Sequence, residues 1–209
     1  MIYLEIMERV KLLFPKTGDG MIKSLFNHYS ESFQRETYYA VLSQKTINKD
    51  TIINGKVSNV KIIDLEAVSC NNKPYTFINL DTDDLSGLKL REPNVNGYCV
   101  NKDAILFVKS NADCTLSFFN PEYNVVLSGT FVDTTQLVND LTTPDTNFND
   151  SLGLAVINGI LSELYKQDIN KLAICQFYKN EYTQLVKQFK KYGMSAQRPA
   201  EVRSSWYAS

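Results

Sequence analysis

The residues of this chain whose types could support chemistry are one histidine, four cysteines and an acid-rich turn. His28 lies beside Tyr29 at the edge of an apolar helical stripe. A catalytic imidazole needs a nucleophile and an orienting acid within reach, and the sequence alone shows neither. His28 is therefore read as a helix-surface or core-edge residue. Cys70, Cys99, Cys114 and Cys175 form no C-x-x-C pair and sit in apolar, strand-like or helix-like contexts. They are read as reduced small hydrophobes and not as metal ligands. The stretch "DTDDLSGLKLRE" places Asp81, Asp83 and Glu92 at the first, third and twelfth positions of a calcium loop. Leu85 falls where an oxygen ligand belongs, and Ser86 falls where glycine makes the sharp turn. The acids are read as a solvated β-turn, with a calcium site as the alternative. "TGDG" lacks the lysine and the strand–loop–helix context of a phosphate loop. No nucleophile elbow, zinc-protease helix or dinucleotide fingerprint occurs. The reading is of a non-enzyme with no catalytic residue, cofactor or metal.

The bulk properties fit that reading. The chain has 209 residues, 44% apolar and 22% charged, which describes a globular protein with a real core. A net charge of −1 leaves no basic footprint for tight nucleic-acid binding. No segment approaches the ~18 apolar residues that a membrane span requires. "MIYLEIMERVKLLF" has early acids and no cleavage motif, so a secretory leader is not expected. The cysteine usage suits a reducing cytosol.

Three zones must position whatever the chain does. Tyr3, Ile6, Met7, Val10, Leu13 and Phe14 recur at helical spacing until "FPKTGDG" breaks the pattern. Asp19 is placed to cap a second helix bearing Ile22, Leu25, Phe26, Tyr29 and Phe33 on one face. From 37 to 133 the sequence is dense in Val, Ile, Tyr, Phe and Thr, with turn signals at "INGK", "CNNKP", "LSG", "EPNVNG", "SNAD" and "NPEYN". No helix intervenes, so the sheets should be mostly antiparallel. From 134 to 193 two helices return. Asp145, Thr146 and Asn149 are the N-cap candidates, and Gly153, Ala155 and Gly159 permit close approach of another backbone. Cys175, Tyr178, Tyr182, Leu185, Phe189 and Tyr192 form a heptad-like seam, open to packing on the preceding helix or on another subunit. Lys187, Lys190 and Lys191 are read as cations favouring a helix C-terminus.

The expected fold class is thus α+β. Helices in 1–36 and a helical hairpin in 134–193 form one helical domain. An antiparallel β domain, 37–133, is inserted in it, and 194–209 forms an extended C-terminal tail. Gly193 should stop the last helix and Pro199 should block its resumption. The tail holds the only tryptophan, Trp206, with Tyr207, Arg198 and Arg203 nearby. Trp, Tyr and Arg dominate interface energetics, so these four are the candidate partner-binding residues.

In plan, the chain resembles the head-to-tail connector proteins of short-tailed bacteriophages, including the tail tubular or adaptor ring family and the ring proteins of crAss-like phages. The resemblance rests on Tyr3–Phe14, on "FNDSLGLAVINGILSELYKQ" leading into "YKNEYTQLVKQFKKYG", and on the tail. It covers the whole chain as architecture and has no diagnostic motif; the β insertion is longer than that family's. It implies a structural virion protein of the neck or tail, assembled in the host cytoplasm. Such proteins form homo-oligomeric rings, often of twelve copies, beneath the portal, and they contact adjacent ring or tail proteins and line the channel for DNA ejection. It implies no membrane partner. A near-neutral wall suits a conduit that must not grip DNA. The other reading is a monomeric β-sandwich that binds a ligand or carbohydrate, with Tyr98 or Tyr123 lining its site and the helices as scaffold.

Overall fold

The computed structural model describes residues 1–80, 84–138 and 149–197, with 192–197 in backbone only. The chain is α+β and divides into two units. Met1–Val41 with Asp133–Ser209 form the first, and Leu42–Val132 form the second, inserted between its halves. No helix among the described residues is long and apolar enough to cross a membrane.

The helical unit begins with α1 (Tyr3–Leu13), which buries Tyr3, Ile6 and Val10. The break at Pro15 leads to α2 (Asp19–Thr37), which buries Ile22, Phe26 and Phe33. Gly18, not Asp19, is the N-cap of α2. Asp19 is the first helical residue, where its charge favours the helix dipole. Helix α2 runs on to Thr37 and closes with Tyr38 in the left-handed region, so the β zone starts later than residue 37. Helix α3 (Asp150–Tyr165) is capped by Asn149, whose side chain accepts from the Ser151 and Leu152 amides at 3.0 and 3.2 Å. A short 3-10 turn, Ile169–Lys171, connects it to α4 (Leu172–Gln197).

Two expectations about these helices need correction. Gly193 does not stop α4, which continues to Gln197. A glycine inside a helix costs only about 1 kcal/mol relative to alanine, too little to end a long helix by itself. The lysines at 187, 190 and 191 therefore lie before the last turn. Gly153 and Gly159 admit side chains where the approach of a backbone is expected. A Cβ on Gly153 would press on Met1, and one on Gly159 would clash with the Tyr29 ring of α2.

The α4 seam packs within its own unit. Tyr178 stacks on Tyr165 of α3 with centroids 5.7 Å apart. Tyr182 meets Tyr29 of α2 at 5.4 Å, and Phe189 meets Phe33 and Tyr39 at 5.8 and 4.6 Å. Cys175 is half-buried, and the Tyr192 side chain lies outside the described residues.

A polar ladder ties the returning chain to α2. Asn27 exchanges hydrogen bonds with the backbone of Val138 at 2.7 and 2.8 Å. Ser30 Oγ donates to Gln136 O at 2.6 Å. Gln34 accepts from the Asp133 amide at 2.6 Å and donates to Asp133 O at 3.4 Å. Asn27, Ser30 and Gln34 recur at three- and four-residue steps, so they line one strip of α2 beside its apolar face.

The inserted unit contains two sheets. Its strands are β1 (Val41–Ile47), β2 (Lys56–Val57), β3 (Ile62–Cys70), β4 (Lys73–Pro74), β5 (Thr76–Phe77), β6 (Asn96–Asn101), β7 (Ala104–Ser110), β8 (Leu116–Phe118) and β9 (Val125–Val132). One sheet has the order β1-β9-β3-β4, and the other has β2-β7-β6-β5 with β8 also on β7. The pairs β2–β7, β3–β4, β3–β9, β6–β7 and β7–β8 are antiparallel, and β5 runs parallel to β6. Asn54-Gly55 and Asn71-Asn72 turn with positive φ, the geometry of tight hairpins. Ile47, Val68, Leu127 and Phe131 of the first sheet share a core with Tyr98, Ile105 and Phe107 of the second. The alternate residues of the second sheet, Cys99, Leu106 and Val108, pack with Ile78, Leu85 and Leu116. That alternation is the period of an extended strand, and it buries the second sheet on both faces.

Candidate functional site

The turns at one end of the inserted unit enclose a cleft of about 600 Å³. The β3–β4 hairpin supplies Asn71, Lys73, Pro74 and Tyr75. The β8–β9 turn supplies Phe119, Asn120, Glu122 and Tyr123. Asn96 comes from β6 and Lys109 from β7, so both sheets contribute. A second hollow of about 430 Å³ shares Asn71, Glu122 and Tyr123 and extends to Lys49 and Asn124.

The β8–β9 turn is fixed at several points. Asn120 Oδ1 accepts from the Gly55 amide at 2.6 Å. The Cys70 thiol donates to Tyr123 O at 3.6 Å. Asn124 Oδ1 accepts from the Lys49 amide at 3.1 Å. Pro121 is buried and restricts the backbone further. Tyr123 nevertheless remains 54% exposed. An aromatic ring of that size is normally buried, so here a rigid turn presents it to solvent. In the same cleft, burial, assisted by the Cys70 thiol and the Glu122 charge, holds the Tyr75 phenol neutral well above the usual range.

The other residues that sequence reasoning singled out lie elsewhere. Tyr98 is in the core of the inserted unit, against Phe77 at 5.5 Å, and lines no surface. Around Tyr98 the neighbouring positions of β6 alternate between two buried faces, so its ring is covered, while Asn96 at the start of the strand lines the cleft. His28 is exposed on α2 with its ring edge-on to Tyr29 at 5.1 Å. Cys70 and Cys99 are buried, Cys114 and Cys175 half-buried, and all are free thiols. Of the acid-rich turn, Asp81 and Asp83 lie outside the described residues, Glu92 is exposed, and Leu85 is buried in the core. No group of His, Cys, Asp or Glu among the described residues is arranged to hold a metal ion. Arg198, Arg203, Trp206 and Tyr207 lie outside the described residues.

Sequence reasoning missed Asn71, Lys73, Asn96, Lys109, Asn120 and Glu122. Each sits in or beside a segment that reads as ordinary turn chemistry, and only the strand order brings them together. The helical unit has a different exposed feature. At the tip of the α3–α4 hairpin, Ile169 is 82% and Phe177 57% exposed, with Leu172 and Ile174 also exposed. No protein-family model matches the chain, and no curated protein matches it significantly.

Proposed function

We propose that this chain is a structural, ring-forming subunit of a bacteriophage head-to-tail connector, which joins portal to tail and lines the channel for DNA ejection. The observation that supports self-assembly is the hairpin tip. Ile169, Leu172, Ile174 and Phe177 leave large apolar side chains in water while the α4 seam is already satisfied within the unit. Exposed apolar clusters of this kind mark interaction surfaces. In the proposal a neighbouring copy covers them. The net charge of −1 fits a channel wall that lets DNA pass without binding it.

The test is the mass and symmetry of the purified chain, compared with Phe177→Asp. The exposed site leaves the fold intact, while a charge opposes burial of the tip. The proposal expects closed rings for the native chain and loss of rings for the variant. A native chain that stays monomeric at every concentration supports the binding-module reading instead.

A further inference from the structure

We propose that the cleft between the β3–β4 and β8–β9 turns is a carbohydrate-binding site for a neutral oligosaccharide. This inference concerns the inserted unit alone and stands whether or not copies of the chain form rings.

The lining groups select the ligand class. Tyr123 offers a flat aromatic face on a turn pinned through Asn120, Cys70 and Asn124. The C–H face of a pyranose packs on such a ring without needing a hydrogen bond from it. The carboxamides of Asn71, Asn96 and Asn120 line the same cleft. A carboxamide both donates and accepts, as does a sugar hydroxyl, so the two are matched in chemistry. Asn120 Oδ1 is already held by Gly55, which fixes its amide and directs Nδ2 to act as a donor. The side chains of Lys73, Lys109 and Glu122 enter no hydrogen bond or ion pair among the described residues. Ammonium and carboxylate groups left uncommitted in one hollow can take hydroxyl acceptors and donors respectively.

Other ligand classes fit less well. A lipid or other apolar ligand needs an apolar lining, and this one includes three carboxamides, two ammonium groups and a carboxylate. A nucleic acid or other polyanion would meet Glu122 inside the cleft, and two lysines cannot provide a basic track. The volume of about 600 Å³ is within the range of small-molecule sites, and the adjoining hollow past Tyr123 gives a chain of sugars room to continue.

The test uses the full chain on a printed array of neutral and acidic oligosaccharides, bacterial cell-wall and capsular fragments included. It is repeated with Tyr123→Ala and Asn96→Ala, each first shown by circular dichroism to keep the native fold. Both side chains are exposed, so folding should not depend on them. The expected result is retention on at least one neutral oligosaccharide, reduced about tenfold or more by each substitution, as expected for removing an anchoring contact. Absence of retention on every neutral glycan overturns the proposal. So does retention that Tyr123→Ala leaves unchanged, or retention confined to acidic glycans and abolished by high salt. Failure here with intact rings removes only the glycan site, and glycan binding by a monomeric chain removes only the ring.

Discussion

Replacing Gln34 tests how the chain is held where it re-enters the helical unit. Gln34 is fully buried, and its amide joins α2 to both backbone groups of Asp133. In Gln34→Ala the Asp133 amide loses its acceptor, which costs about 1–3 kcal/mol for a buried donor. The 3.4 Å bond to Asp133 O is weak and adds little. One buried methylene is also lost, about 0.8 kcal/mol. Side-chain entropy no longer frozen on folding, up to about 1.5–2 kcal/mol, offsets part of this. The net expectation is a destabilisation of about 1–2 kcal/mol. Gln34→Met keeps the length and removes only the polar end, so its loss isolates the orphaned amide. The assay is urea unfolding followed by circular dichroism at the helix band, because the four α-helices among the described residues belong to the helical unit. A Gln34→Met chain that unfolds at the native midpoint refutes the reasoning, since the Asp133 amide would then need no side-chain acceptor.

Gly129 lies in β9 at φ +149, opposite a bulge in β3, and a Cβ there would press on Asp64 O. Gly129→Ala should cost the inserted unit at least about 2 kcal/mol in urea unfolding, whereas Gly20→Ala, with open space around it, should be neutral or slightly stabilising; equal midpoints for both variants would show that the bulge relaxes. Burial raises the Tyr3, Tyr29, Tyr75, Tyr98 and Tyr182 phenols, with Glu36 adding to the effect at Tyr182. Their folded pKa values exceed the ordinary 10.0, so the stability they contribute is complete below pH 10 and lost as pH rises beyond it. Ultraviolet titration should show part of the tyrosine signal appearing only as the fold melts, and a single step near pH 10 with native circular dichroism retained would contradict this.

The order of helices, strands and helices was legible because periodicity changes twice along the chain. Ile6 and Val10, or Phe26 and Phe33, repeat at helical steps, while Ile105 to Val108 alternate between two buried faces. Asn54-Gly55 and Asn71-Asn72 announced their turns because few other residues accept positive φ. The ladder of Asn27, Ser30 and Gln34 was not legible, since polar residues beside an apolar stripe look like a solvated face until a second segment lies on them. Gly159 signalled a close approach, but not that a tyrosine ring of α2 would make it. The choice between Tyr98 and Tyr123 was beyond the sequence for the same reason. Both are aromatic residues in or near turns, and only the covering of β6 on both faces buries one while the pinned β8–β9 turn exposes the other. The cleft is non-local throughout, built from turns that are distant in sequence and joined by strand order.

The central claim, that copies of this chain assemble through the helical unit into a connector ring, is tested most directly by electron microscopy of the purified full-length protein. Closed rings of fixed rotational symmetry, with the α3–α4 hairpin tip covered by the neighbouring copy, are the expected result. A chain that remains monomeric at all concentrations, or rings in which Ile169 and Phe177 stay in solvent, would contradict it.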